Sequence, residues 1–258
     1  MNKIKLITMA SLTILYTQVI FSAVSTRPLN LNDHIFITPQ ATHQEDKSQG
    51  TQIDLSYPQI KGKGINLPEN EGKFNQLVKS LMASQVTQFK KDAHNLSSKH
   101  NKLAINYQLY VSTPDKHHII SVLFTSESMI EKQAHPVHTM LSLNYDLSAG
   151  KELTLNELFE PHSGYRSVMA DYSKTVLKQK FPELQPFATG LEPSPENFSI
   201  WNIRAADILI HFNEAQVGPR VYGAIEVAIP YQILKEVPLA PWLMPCVDHP
   251  ERCVAASN

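Results

Sequence analysis

Eleven histidines in 258 residues are the side chains of this sequence that most invite chemistry. His135 and His138 stand three apart, and His117 and His118 are adjacent. A shared metal ion needs both rings on one side, but in an extended segment such spacings send them to opposite faces. Surface or turn histidines are the expectation at both places. His211 lies with Asp207 and Leu209 on one side of an apolar run, opposite Ile208, Ile210 and Phe212. That pattern predicts a satisfied, partly exposed histidine, not a general base. Glu127, Glu131, Asp146 and Glu157 could supply the carboxylate pair of a glycosidase, yet their spacing selects no pair. No GxSxG elbow, HExxH helix, phosphate loop or dinucleotide glycine pattern is present. The expectation is a protein that is not an enzyme and has no cofactor and no metal.

Cys246 and Cys253 are the only cysteines and bracket CVDHPERC. In an oxidising compartment this predicts a local disulfide that ties down a proline-broken tail. The alternative, a metal site completed by His249, has too few ligands for zinc. A third stretch suits recognition. FNEAQVGPRVY, residues 212–222, joins two strand-like runs and sets Gln216, Pro219, Arg220 and Tyr222 close to Gly218 and Gly223. Arginine and aromatic side chains on a stiffened loop lose little entropy on binding, so these four residues are the candidate partner contacts. The plainer reading is an ordinary β-connection whose Tyr and Val pack on the core.

The compartment follows from the N-terminus. Lys3 and Lys5 precede an apolar centre from Leu6 to Phe21, and Ala23-Val24-Ser25 fits a small-x-small cleavage site. This is the pattern of a secretory signal peptide over residues 1–25. A retained single-span anchor is the rival, since the uncharged run is long enough to cross a bilayer. Either way the chain is exported, to the periplasm or beyond. Removing Lys3 and Lys5 leaves 21 basic and 24 acidic residues. A net charge of −3 with no basic patch excludes a nucleic-acid footprint.

The elements that must carry these residues are legible from periodicity. Residues 26–50 form a polar arm in which only His34–Ile37 resembles a strand, and 41–50 is expected to be a mobile loop. Gln52–Ile60 is a strand. Phe74, Leu77, Val78, Leu81, Gln85 and Phe89 mark a helix over about 70–96, with Asn70 as N-cap. Three antiparallel strands follow: 103–111, 118–126 and 137–147. The last alternates Val137, Thr139, Leu141, Leu143, Tyr145 and Leu147 against polar neighbours, so it is expected to be half-buried. After it, Thr154 and Glu157 have capping-box spacing inside a Leu153/Leu158 staple. A second helix spans about 163–181, then strands at 198–203, 208–212 and 224–229. The predicted fold is α+β: antiparallel β-sheets packed against two long helices, in two adjoining lobes.

Several landmarks, taken in order, resemble an exported domain family. They are Tyr57-Pro58-Gln59-Ile60, Ser121-Val122-Leu123-Phe124, His135-Pro136, and Leu143-Asn144-Tyr145-Asp146-Leu147 with Gly150-Lys151. Leu153-Thr154-Leu155 through Leu158-Phe159 follow, then Gln216-Val217-Gly218-Pro219 through Gly223 to Ile229-Pro230. The set is similar to the RsiV-like family, found outside the membrane in the lysozyme-sensing anti-sigma factor RsiV and in the accessory region of the peptidoglycan deacetylase PdaC. The resemblance divides the chain into an N-terminal part, 51–115, and a C-terminal part, 116–236, followed by a proline-rich tail, 237–258. It implies an exported cell-envelope binding module whose partner is a lysozyme-like muramidase. The alternative is an envelope enzyme acting on peptidoglycan or another glycan.

Overall fold

A computed structural model describes residues 28–95, 99–131 and 133–254. The signal-peptide pattern of residues 1–25 lies outside the described residues. Strands β1 (Leu29–Asn30), β2 (Ile35–Asp46) and β3 (Thr51–Gly62) open a seven-stranded sheet. Residues 41–46, expected to be loop, are instead the outer half of β2, registered against β3 from Ala41–Ser56 to Asp46–Thr51. All six are solvent-exposed, so no apolar alternation marks them as strand. The hairpin closes where Asp46 accepts hydrogen bonds from the Ser48 and Gln49 amides.

Helix α1 (Glu69–Asn95) buries Phe74, Val78, Met82 and Phe89. It returns the chain so that β4 (Asn101–Ser112) lies parallel to β3. The sheets are therefore antiparallel with this one exception. A helical crossover is what permits a parallel neighbour. Asn70 is inside the helix, not its N-cap. Its Nδ2 donates to the Leu147 carbonyl at 2.8 Å and its own carbonyl accepts from Tyr145 Oη at 3.1 Å, fastening α1 to the sheet. β5 (Ile119–Met129), β6 (Val137–Asp146) and β7 (Lys151–Glu152) complete the antiparallel run in chain order. The sheet thus continues unbroken across position 115/116.

Thr154 opens a short 3₁₀ turn, Leu155–Leu158, where Glu157 accepts from the Thr154 amide at 2.7 Å. The staple residues Leu153 and Leu158 are both buried. α2 (Tyr165–Lys180) follows, then β8 (Trp201–Ile203), β9 (Asp207–Phe212) and β10 (Ile225–Pro230), an antiparallel sheet of order β10-β9-β8. The two helices differ in length, 27 residues for α1 and 16 for α2.

Two apolar cores result. One lies under α1 and takes Ile53, Leu103, Ile120, Val122, Leu143 and Tyr145 from the large sheet. The other gathers Met169 and Leu177 of α2 with Ile208, Ile210, Val227 and Ile229 of the small sheet. Cys246 and Cys253 are joined by a disulfide and are buried in this second core. The clip is thus interior, and it also holds the C-terminus to β4 through the Thr113 amide and Cys253 carbonyl at 2.9 Å. No helix among the described residues is long and apolar enough to cross a membrane.

Candidate interaction loop

The residues between β9 and β10 fold tightly because their polar groups are used internally. The Asn213 amide donates to Gln216 Oε1 at 3.0 Å, and the Gln216 amide donates back to the Asn213 carbonyl at 3.0 Å. Ala215 completes this turn with φ of 61°. Gln216 Nε2 reaches the Asn197 carbonyl at 3.0 Å and the Gly190 carbonyl at 3.4 Å. Gly190 is needed there, since a Cβ would lie 1.9 Å from the Gln216 carbonyl oxygen. Gln216 is therefore an inward brace, not a surface contact.

Beyond Pro219, residues Arg220–Tyr222 make one 3₁₀ turn, which Gly223 leaves at φ of 66°. Tyr222 packs its ring edge-on against Phe181, with centroids 5.2 Å apart. Pro219 and Arg220 face solvent. Between Arg220 and Tyr222 stands a residue the sequence reading passed over: Val221, 88% exposed. A β-branched side chain held outside the core, beside a Tyr222 ring that packs inward, is the outstanding apolar feature of this surface. Its signal in the sequence was only its place between two nominated residues.

A line of charges sits at the loop's base. Arg220 Nε contacts Glu214 Oε2 at 3.0 Å, Glu214 Oε1 contacts His138 Nδ1 at 2.7 Å, and His138 Nε2 lies 3.4 Å from Glu127. Burial pushes the Glu214 carboxyl up, but hydrogen bonds from His138 and Arg220 outweigh it and hold the group below the usual carboxylate range. Arg220, Glu214 and His138 of this line, with Thr139 and Met140 of β6, border a cleft of about 500 Å³.

Two further histidines make internal contacts. Asp146, 1% exposed as a side chain, contacts His117 Nδ1 at 2.5 Å, and the His117 ring lies against Trp242. His211 is fully buried, not partly exposed as the sequence suggested, because its side of β9 turns inward. It donates toward Asn202 Oδ1 at 2.8 Å, while Nδ1 stands 3.2 Å from Glu226 Oε1. Among the described residues, no group of three or more His, Cys, Asp or Glu could hold a metal ion.

Comparison with known proteins adds three findings. PdaC, the peptidoglycan-N-acetylmuramic acid deacetylase of Bacillus subtilis strain 168, is 24% identical over 182 residues, which is 67% of this chain. The match spans only 38% of PdaC's own length. The fold is shared with a DUF3298 family protein from Pseudomonas aeruginosa PAO1 (TM-score 0.58, 13% identity, 83% of this chain and 98% of the other). It is shared equally with one from Bacteroides fragilis NCTC 9343 (TM-score 0.58, 13% identity, 84% and 97%). Residues 156–232, from the 3₁₀ turn through α2 and the small sheet to just past β10, match the family model described as a protein of unknown function (DUF3298).

Proposed function

We propose that the chain is an exported, non-enzymatic binding module of the cell envelope, and that the 213–223 loop is its contact surface for a lysozyme-like muramidase. The leader pattern and the Cys246–Cys253 disulfide both suit an oxidising compartment outside the cytoplasm. The likeness to a peptidoglycan deacetylase supports an envelope location. The single observation that carries the reading is Val221, 88% exposed on a loop braced from within. A preorganised apolar tip beside an arginine binds without first paying for its own ordering. Pro219, Arg220 and Val221 form the contact, while Gln216 and Tyr222 hold it in shape.

Capture on immobilised lysozyme tests this. The parent chain is expected to be retained and Val221→Asp to be lost, with unchanged thermal unfolding because Val221 touches no core. Equal retention of both chains removes the loop from the interface. Absence of retention for both removes the muramidase.

The second reading, an envelope enzyme acting on peptidoglycan or another glycan, draws on the relative's printed activity. Against it, the carboxyls of Asp46, Asp54, Glu69, Glu157, Glu214, Glu226 and Glu251 are all held below the usual range. A general acid needs the opposite. Incubation with muropeptides and mass spectrometry of the products decides between the two.

A further inference from the structure

We propose that a trough beside the start of α2 binds a carboxylate-bearing glycan chain, with Arg166 as the carboxylate anchor. Two hollows, of about 510 and about 270 Å³, lie side by side and share Asn156 and Arg166 in their walls. Together they extend from Ser163 at one end to Ser142 and Asn144 of β6 at the other. That elongated outline suits a chain more than a compact molecule.

Arg166 has a different setting from Arg204 and Arg220. Arg204 is held by Asp207 and Arg220 by Glu214. Among the described residues Arg166 pairs with no carboxylate. Its Nη2 donates to the neutral Asn156 Oδ1 at 2.6 Å, and its guanidinium lies 4.8 Å from the centroid of the Tyr165 ring. That ring is fixed in turn, stacked on Phe159 at 4.0 Å and bonded through its hydroxyl to Asn156 Oδ1 at 2.6 Å. The guanidinium is therefore preorganised with its charge uncompensated. Arg166 Nε and Ser163 Oγ, of two residues that line the trough, are buried without a hydrogen-bond partner. A guanidinium fork matches a carboxylate with two parallel hydrogen bonds.

The rest of the lining decides the kind of molecule. Thr154, Asn156, Ser142 and Ser199 present neutral hydroxyl and amide groups, the complement of sugar hydroxyls and acetamido groups. A phosphate chain needs a row of cations, and Arg166 is the only basic residue other than His162 in the trough. Glu152 and Glu160 also border it and disfavour a polyanion of high charge density. One carboxylate per few sugars is the chemistry that fits. This site is separate from the loop at 213–223, sharing with the proposed function only the premise of export.

The test is an amide and arginine side-chain NMR titration of the purified chain. The probes are a tetrasaccharide containing N-acetylmuramic acid, an oligogalacturonate, and the carboxylate-free chitotetraose. Saturable shifts at Asn156, Ser163 and Arg166 are expected with at least one carboxylated probe. Chitotetraose should bind at least about tenfold more weakly, as should Arg166→Gln with the carboxylated probe. Arg166→Lys, which keeps the charge without the fork, should fall between and serves if Arg166→Gln does not fold. Which carboxylated probe binds identifies the sugar. The proposal is overturned if neither shifts the trough, if chitotetraose binds as tightly, or if both Arg166 variants bind like the parent. Val221→Asp should bind the glycan normally and Arg166→Gln should be captured by lysozyme normally, so the two sites fail separately.

Discussion

The buried chain of hydrogen bonds from Trp201 to His211 Nε2 has a fixed sense. Asn144 Nδ2 donates to the Trp201 carbonyl at 2.9 Å, which turns Asn144 Oδ1 toward the Ser121 hydroxyl as its acceptor. Ser121 Oγ then accepts from Asn202 Nδ2 at 2.8 Å, and Asn202 Oδ1 accepts from His211 Nε2. With Nε2 committed as donor, Nδ1 faces the Glu226 carboxylate at 3.2 Å. The hydrogen bond from His211, opposed by burial, holds the Glu226 carboxyl below the usual range. A depressed carboxyl stabilises the fold above its unfolded pKa of about 4.3 and loses that contribution as pH falls through the lower folded value. Glu226 is 48% exposed as a side chain, so screening limits the effect. Glu226→Gln should therefore cost only about 1 kcal/mol at neutral pH. Urea unfolding of parent and variant should show this gap, and it should close below about pH 4. A gap that widens in acid would contradict the pairing.

At the scale of elements, the unusual joint is the one between the sheets. β8 is the outer strand of the small sheet, and an unpaired strand edge is a liability. Here the large sheet's side chains satisfy it. The Trp201 amide donates to Ser142 Oγ at 3.1 Å, the Trp201 carbonyl accepts from Asn144, and the Ile203 amide donates to Ser121 Oγ at 3.1 Å. Hence Asn144 and Ser121 are buried although they are the polar members of their strands. Ser121→Ala strips acceptors from Asn202 and Ile203 in a dry interface, at about 1–3 kcal/mol for each unsatisfied group. A loss of about 2–4 kcal/mol by chemical denaturation is expected. Ser126→Ala, on β5 like Ser121, removes only an exposed hydroxyl contact with Thr139 of β6 and should stay within about 0.5 kcal/mol. Comparable losses would mean that the joint is not built on Ser121.

The whole molecule is tied at a third place, where the C-terminal clip meets β4. Two buried sulfurs inside the second core do more than restrain a tail. The closed loop is short, with a sequence separation of 7. Chain entropy alone then gives about 2.5 kcal/mol, and lost packing of Cys246 and Cys253 adds to it. Cys246→Ala with Cys253→Ala should lower stability by about 2–5 kcal/mol. The Thr113 amide, which bonds to the Cys253 carbonyl, should exchange hydrogen faster in that variant. Unchanged exchange at Thr113 would place the anchor in the surrounding apolar contacts instead.

Periodicity alone, read from the sequence, established the helices, most strands and the capped turn after β6, because spacings of 3.6 and 2 record which side of an element is apolar. Cysteine spacing likewise foretold the disulfide. What covers a polar side is not written in any local window. Leu143 and Tyr145 marked the buried face of β6, but only the packed small sheet explains why Asn144 is buried as well, and only His117 and the following turn explain Asp146. The same holds for His211, polar in pattern yet sealed by a neighbouring sheet. Residues 41–46 lack apolar alternation and are strand because β3 is beside them, so backbone pairing substitutes for burial. Val221 is the converse: an apolar type that a local pattern sends inward. Tertiary structure alone puts it in solvent, since the turn from Pro219 to Gly223 spends its inward directions on Tyr222.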